Sequence, residues 1–167
     1  KPAQSDHPIH DLLTERWSPY GFAERPVPAE LLRPLFEAAR WAPSSYNEQP
    51  WRYIVAARED GAAFDTLVSC LVDANQTWAR RAPVLALGIT STRFARNGKP
   101  NAAAHHDLGQ ASAFLTVEAT ARGLAVHQMI GILPERAREL YAIPEGCEAL
   151  TALAIGYVAD PATVPET

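Results

Sequence analysis

The sequence predicts an α+β fold in one domain that spans residues 1–167. A length of 167 residues is sufficient for one domain with a substantial core and short for two. A composition of 47% hydrophobic and 20% charged residues is typical of a globular protein rather than of a disordered or fibrous one. Segments with helical spacing are interrupted by four segments with strand character, and this order indicates the α+β class.

Two prolines mark the starts of the first two predicted helices. Pro8 suits the first turn of a helix over about residues 8–16, and Pro28 begins a second helix with a broad apolar face. Pro34 interrupts the second helix, since a proline removes a backbone hydrogen bond at a cost of about 3 kcal/mol. We therefore expect a kink, or a helix that restarts at Arg33.

The rest of the chain alternates between strand and helix patterns. The nearly continuous apolar run PVLALGITST has the length of a strand and is predicted to be central in the sheet. The longest helical pattern contains no proline and is predicted to end at Gly123. In chain order, the elements after the second helix are a strand at 51–57, a helix at 61–75, the central strand at 83–92, the long helix at about 102–122, a strand that runs into a turn at 124–132, a short helix begun by Pro134 and a final strand at 148–158.

Charge and hydropathy exclude some classes of function. With a formal net charge of −4, the chain has no basic surplus to release counterions from nucleic acid. No run approaches the length of a membrane span, and the N-terminal KPAQSDHPIHD lacks the apolar core of a secretion signal, so a cytoplasmic protein is expected. Cys70 and Cys147 lack CxxC spacing, which favours buried thiols over a zinc site, a redox pair or a disulfide.

The motifs of several common active sites are missing. The sequence has no GxSxG, no GxGxxG and no GxxxxGK[ST]. His105, His106 and Asp107 are adjacent, but neighbours on a helix point in different directions and do not form an HExxH-type pair. We expect these three residues at a helix N-terminus, where Asp107 is favourable to the dipole, and we expect no metal site.

An eight-residue segment without glycine, APSSYNEQ, separates the second helix from the first strand. It concentrates hydroxyls and carboxamides, which donate and accept hydrogen bonds, between two tryptophans. One interpretation is a grip on a planar cofactor with a polar edge, such as a flavin. The other is a helix C-terminus whose carbonyls are tied off by serines and amides. Composition alone does not choose between them.

Ordered blocks of the sequence extend over most of residues 12–158. The first is ERWSPYGFAERPVPAELLRPLFEAARWAPSSYNEQPWRYIVA, and WARRAPVLALGI, DLGQASAFLTVEATARGLAVHQMIG and PEGCEALTALAIGY follow it. The first block is similar to the Arg-x-Ser turn, Pro-started helix and PSSxNxQPW-like loop of the FMN-dependent nitroreductase family, and the others occur in the order of that family. The resemblance implies a nitroreductase-like fold, with a mixed, mainly antiparallel sheet enclosed by helices, and a homodimer with two FMN sites at the subunit interface.

The resemblance also implies which residues bind FMN. Arg16 and Ser18 would hold the phosphate, because a guanidinium makes paired charge-assisted bonds to a dianion. The prolyl, seryl and asparaginyl residues of APSSYNEQ would reach the flavin of the partner subunit, and a backbone amide, best assigned to Ile130, would point at flavin N5. The expected cofactor-binding residues are Arg16, Trp17, Ser18, Tyr20, Pro43, Ser44, Ser45, Asn47, Gln49, Gln128, Met129, Ile130 and Gly131.

The implied activity is a ping-pong reaction in which NADH or NADPH reduces the flavin and an electron-poor acceptor, such as a nitroaromatic or a quinone, reoxidises it. No catalytic acid or nucleophile is required.

The chain departs from the family at Tyr20, where Lys or Arg is common; Arg52 is a candidate substitute. The segment after Tyr157 has no basic residue, so the phosphate site would need a second cation, from Arg80, from Arg81 or from residues beyond this sequence. These departures leave open a protein that sequesters or senses FMN with little turnover, and a specialised relative such as a reductive dehalogenase.

The long predicted helix carries the small residues Gly109, Ala111, Ser112 and Ala113. Small side chains permit the close approach of a second helix. This pattern fits the core of a dimer and fits packing inside one subunit equally well.

Overall fold

The computed structural model describes residues 3–160 and 162 of the chain. The described helices and strands are α1 (Asp11–Glu15), α2 (Ala29–Arg40), β1 (Trp51–Ala57), α3 (Ala62–Val68), α4 (Asp73–Ala79), β2 (Val84–Ser91), α5 (Ala104–Ala121), β3 (Ala125–Met129), α6 (Pro134–Tyr141) and β4 (Cys147–Gly156). Single 3₁₀ turns occur at Ser45–Asn47 and Arg58–Asp60. That residues 1–167 form one domain stays a prediction.

The four described strands form one sheet in the order β1-β2-β4-β3. Each neighbouring pair is antiparallel, with Trp51 opposite Thr90 in the first pair and Met129 opposite Ala152 in the last. The α+β class and the mainly antiparallel sheet are confirmed. Within the described residues, no pair of strands supplies the parallel part of the expected mixed sheet.

Helices pack on both faces of the sheet, so that β2 is almost completely buried, as predicted for the central strand. On one face, α2 and α5 cover the strands with Leu35, Leu108 and Leu115, all fully buried. On the other face, α3 and α6 contribute residues such as Leu67 and Ala137. Each fully buried leucine stabilises the fold by about 1.5–3 kcal/mol relative to an exposed one.

The first helix is shorter than predicted. It begins at Asp11, not in the turn of Pro8, because His10 is its N-cap and its Nδ1 accepts a hydrogen bond from Leu12 N–H at 3.2 Å. A side-chain acceptor at this position satisfies an amide that would otherwise lack an intrahelical partner. The predicted helix over residues 8–16 is therefore reduced to one turn.

The second helix runs unbroken through Pro34, so the expected restart at Arg33 is wrong. Pro34 lies in the second turn and removes one intrahelical hydrogen bond. Burial of Leu35 and Ala39 against the sheet offsets this loss.

The single helix predicted over residues 61–75 is in fact two helices, α3 and α4. Between them the backbone bonds to a distant segment: Val72 N–H donates to Gly131 O at 3.1 Å, and Leu133 N–H donates to Cys70 O at 2.7 Å. These bonds replace intrahelical ones. The break brings the start of α4 next to the segment that follows β3.

The long helix and its end are confirmed. Gly123 has a φ of 70° and occupies the left-handed position after α5. Leu124 N–H donates to Ala119 O at 2.9 Å and Gly123 N–H donates to Thr120 O at 3.0 Å, which is the Schellman pattern. The chain then turns directly into β3.

The two cysteines are free, as expected. Cys70 is fully buried, and burial raises the pKa of its thiol. Cys147 is only partly buried, so the expectation of a buried thiol is wrong for this residue. Among the described residues, none of the helices combines the length and the apolar character that a membrane crossing requires.

Candidate cofactor site

Residues 43–49, called the polar loop from here on, connect α2 to β1 in a constrained conformation. Tyr46, Asn47 and Gln49 have positive φ angles of 54°, 55° and 49°. This conformation costs about 1–2 kcal/mol for residues such as Tyr46 and Gln49 and less for asparagine. The loop keeps this shape because its neighbours hold it, as observed for many binding segments.

Two polar side chains of the loop support the loop itself. Gln49 Nε2 donates to Arg40 O at the end of α2 at 3.1 Å, and Gln49 N–H donates to Ser44 Oγ at 3.0 Å. The helix-end interpretation therefore holds for Gln49, whose amide bonds a carbonyl of α2, whereas the Ser44 hydroxyl bonds within the loop and, among the described residues, to no helix carbonyl. Pro43 and Asn47 are exposed. Among the described residues, the Asn47 carboxamide and the Ser45 hydroxyl have no hydrogen-bond partner and remain available to a ligand.

A buried carboxylate anchors the loop to the long helix. Asp107 is 2% exposed, and its Oδ2 accepts a hydrogen bond from Ser45 N–H at 3.0 Å. The sequence predicts Asp107 at a helix N-terminus, which is confirmed, but gives no signal for a contact with a residue 62 positions earlier. The neighbouring His105 instead lies 2.8 Å from Glu148 Oε2. Within the described residues, no group of three or more His, Cys, Asp or Glu could hold a metal.

The segment of residues 16–20 follows α1. Arg16 is exposed, and its Nη1 lies 3.5 Å from Ser18 Oγ. The guanidinium forms no ion pair with a described residue. Arg16 and Trp17 line a cavity of about 180 Å³ beside Gly123, at the end of α5. A cation and a hydroxyl thus lie side by side at the surface.

An aromatic cluster attaches this segment to β3 and α4. The Tyr20 ring lies 4.8 Å from the His127 ring and 5.0 Å from the Trp78 ring, edge to face in both cases. His127 Nδ1 lies 3.0 Å from Pro19 O. Sequence reasoning missed Trp78 and His127, because three separate segments form the cluster and no local pattern marks it.

Residues 128–131 end β3 on the same edge of the sheet. Gln128 Nε2 donates to Thr116 Oγ1 at 2.9 Å and to Ser112 O at 3.2 Å, so its carboxamide is committed to α5. Met129 is buried. The Ile130 side chain is 79% exposed. Ile130 and part of Gln128 are therefore exposed here, while the Gln128 Nε2 is already bonded to α5.

Close contacts fix the position of Gly131. Asn75 Nδ2 donates to Gly131 O at 2.9 Å, and a Cβ at Gly131 would lie 2.5 Å from the same nitrogen and 3.0 Å from Val72 Cγ2. We expect Gly131→Ala to lower the free energy of unfolding by about 1 to 2 kcal/mol, because the added methyl has no room. Urea denaturation measures this change. With Asn75→Ala as well, the loss should be smaller than the sum of the single losses; strict additivity would contradict the predicted clash.

The predicted site residues lie at two separate places. The 16–20 segment and residues 128–131, together called the β3-edge group, lie along the edge strand β3. The polar loop precedes β1, the opposite edge strand. Three strand spacings separate these edges by ~14 Å. In one chain the two groups therefore lie at opposite edges of the sheet.

The three candidate cations also divide between these places. Arg52 Nη1 donates to Gln49 O and Trp51 O at 3.0 and 2.6 Å, beside the polar loop. Arg80 Nε donates to Gln76 O within α4. Arg81 lines a cavity with Gly21, Phe22, Ala23 and Glu24, directly after the 16–20 segment. Residues 161 and 163–167 of the tail without basic residues lie outside the described part of the chain.

Comparison with known proteins assigns the family. The model of the family described as nitroreductase matches residues 13–157. The chain belongs to the nitroreductase family. This match extends from α1 to the end of β4 and includes both groups of site residues.

Solved and curated proteins agree with a nitroreductase fold. A crystal structure described as an oxidoreductase containing FMN superposes with a TM-score of 0.90 at 36% identity, over 97% of this chain and 83% of that one. NADH dehydrogenase of Thermus thermophilus is 28% identical over 92% of this chain and 89% of its own length. Nitrobenzene nitroreductase of Ectopseudomonas oleovorans is 38% identical over 40% of this chain. The chain spans only 28% of the length of that relative.

Proposed function

We propose that this member of the nitroreductase family is an FMN-dependent oxidoreductase. It takes hydride from NADH or NADPH and passes it to an electron-poor acceptor, such as a nitroaromatic or a quinone, in a ping-pong reaction. The observation that carries the proposal is the separation of the polar loop from the β3-edge group. Two chains related by a twofold axis offer each group once per site, so a dimer contains two complete sites.

The exposed donors suit FMN chemically. Arg16 offers paired charge-assisted hydrogen bonds to a phosphate, and Ser18 lies beside it to donate another. Ser45 and Asn47 offer neutral donors and acceptors for the polar edge of the ring. Ile130 lies at the point where the β3-edge group presents backbone to the surface. The residues present therefore fit a ligand with a phosphate tail and a planar, polar-edged ring.

Bound FMN would supply the carrier that accepts hydride and releases it to the second substrate. The residues of this chain hold and orient it. The Asp107 carboxylate holds the backbone N–H of Ser45, and the Asn75 carboxamide holds the backbone carbonyl of Gly131. The cluster of Tyr20, Trp78 and His127 holds the 16–20 segment against β3. None of these roles requires a side chain that acts as an acid or a nucleophile.

The outward side of α5 supports the proposed homodimer. Ala111 and Ser112 are fully buried inside the chain, whereas Gly109 and Ala113 are exposed beside Phe114, which is 44% exposed. The small residues on the outward side would let a second copy of the helix approach closely. A twofold contact of this kind pairs the same surface of both subunits.

A flavin-storage protein is the second candidate. Tyr20 supports it, because the phenol packs on Trp78 and His127 and supplies no positive charge to a reduced flavin. A specialised reductase, such as a reductive dehalogenase, would share the hydride-accepting step with the leading candidate.

The test begins with reconstitution of the purified protein with FMN. We expect FMN to bind, and its oxidised absorption band to bleach on anaerobic mixing with NADH or NADPH in a stopped-flow instrument. Nitrobenzene, a quinone or a halogenated aromatic added afterwards should restore the band if it is an acceptor, and halide release would mark the dehalogenase. Binding without bleaching would support storage. A protein that does not bind FMN would overturn the proposal.

A further inference from the structure

A short hairpin of residues 92–100, called the basic lip, follows β2 and stands against the polar loop. Two backbone hydrogen bonds close its turn, from Phe94 N–H to Lys99 O at 2.9 Å and from Gly98 N–H to Phe94 O at 2.8 Å. Arg93 Nη1 donates to Gly98 O at 3.0 Å. Because these bonds fix its backbone, the lip presents its outward side chains in a preorganised arrangement.

The lip contacts the polar loop directly. The guanidinium carbon of Arg96 lies 4.1 Å from the centroid of the Tyr46 ring, within the range of a cation–π contact. The Phe94 ring meets Tyr46 edge to face, with centroids 5.7 Å apart. Ala95 N–H donates to the carboxylate of Glu48. The lip is therefore attached to the segment that we propose contributes to the flavin site.

The lip's own sequence carries positive charge only, and the Glu48 carboxylate that contacts Ala95 N–H belongs to the polar loop. Between Ser91 and Ala104 the sequence contains Arg93, Arg96 and Lys99 and no acidic residue, in a chain whose net charge is −4. Arg96 and Lys99 are exposed, and neither forms an ion pair with a described residue. Exposed cations on a fixed support concentrate anions near them.

We propose that the basic lip binds the phosphate groups of the reduced nicotinamide nucleotide, with Arg96 and Lys99 as the contacts. This inference rests on the proposed function, since it needs the nicotinamide ring to reach a flavin beside the polar loop. In NADH and NADPH the phosphates lie away from the reacting nicotinamide ring. The lip likewise lies beside the polar loop and not within it. The Tyr46 ring, 74% exposed, offers an apolar surface to the same ligand.

The test compares dihydronicotinamides with and without phosphate on the FMN-loaded protein. Arg96→Gln/Lys99→Gln removes both charges, and Lys99→Gln removes the one that makes no contact with Tyr46. Arg33→Gln is the matched control, because Arg33 is an exposed arginine of α2 without an ion pair to a described residue. The second-order rate constant for flavin bleaching is measured with NADPH, NADH and 1-benzyl-1,4-dihydronicotinamide, which has no phosphate.

We expect the double variant to lose about tenfold or more with NADPH and NADH, equivalent to one phosphate contact, and Lys99→Gln to lose part of this. The benzyl compound and the Arg33→Gln protein should keep the original rate constants. An equal loss with all three reductants would mean that the lip shapes the flavin site instead, and would overturn the inference. So would unchanged rate constants, or a loss confined to reoxidation by a carboxylate-bearing acceptor such as 4-nitrobenzoate.

Calorimetry with ADP separates this inference from the proposed function. ADP carries a pyrophosphate and cannot be oxidised, so its binding does not depend on flavin reduction. Weaker ADP binding in the double variant than in Arg33→Gln would support phosphate binding by the lip. If, in addition, no dihydronicotinamide bleaches the flavin, only the proposed reductase function fails. Equal ADP binding in the two variants would overturn the inference that the lip binds phosphate, even if flavin bleaching is normal.

Discussion

Arg16→Ala should weaken FMN binding by about 1.5 to 3 kcal/mol, a roughly 10- to 150-fold rise in the dissociation constant. The guanidinium is exposed, forms no ion pair with a described residue and lies 3.5 Å from Ser18 Oγ. Its charge is therefore free to meet a phosphate. Quenching of flavin fluorescence on titration with the apoprotein measures the constant.

Arg33→Ala is the control for a general loss of positive charge, since Arg33 is exposed on α2. Its dissociation constant should match that of the unchanged protein at low and high salt. Riboflavin, which has no phosphate, should bind equally well to the Arg16→Ala and unchanged proteins. An unchanged FMN constant in Arg16→Ala would mean that the phosphate lies elsewhere, with Arg81 as the next residue to replace.

Asp107→Ala should lower the free energy of unfolding by about 2 to 4 kcal/mol and should weaken FMN binding as well. The buried carboxylate accepts the hydrogen bond of Ser45 N–H, and this charge-assisted bond is lost together with a favourable charge in the first turn of α5. The polar loop then lacks the anchor that holds its positive-φ conformation. Urea denaturation and FMN titration measure the two effects.

Asp73→Ala provides the matched control. Asp73 is an exposed carboxylate in the first turn of α4, so its removal should cost only about 0.3–1 kcal/mol through the helix dipole. Asp107→Asn keeps an oxygen acceptor for Ser45 and should lose less stability than Asp107→Ala. If Asp107→Ala and Asp73→Ala had the same effect on both measurements, Asp107 would have no special role in the loop.

The sequence correctly predicts those elements that are specified by their own residues. The apolar run of β2 and the proline-free helix α5, with Gly123 after it, are found where the sequence places them. The break between α3 and α4 was not predicted, because the bonds that cause it run from Val72 and Cys70 to residues about 60 positions later. Likewise, α2 tolerates Pro34 because of burial that its own sequence does not reveal.

The candidate site also combines features that the sequence predicts with features that depend on long-range contacts. Composition singled out the polar loop, and the family resemblance singled out the 16–20 segment. Which loop groups face outward depends on contacts within the fold: Gln49 is committed to Arg40, and Asp107 holds Ser45. The separation of the two groups follows from the strand order, which a single sequence does not determine. That each FMN site draws residues from two chains stays a prediction.

Mixed dimers test this central claim directly. One chain carries Arg16→Ala and the other carries Ser45→Ala/Asn47→Ala, each with its own affinity tag, so that only the mixed species is isolated. If each site combines the β3-edge group of one chain with the polar loop of its partner, both changes fall in one site and the other site is intact. We therefore predict one tightly bound FMN per mixed dimer, and weak binding in both parent homodimers. A mixed dimer without any tight site would show that each site lies within one chain, and a protein that binds FMN as a monomer would contradict the account in the same way.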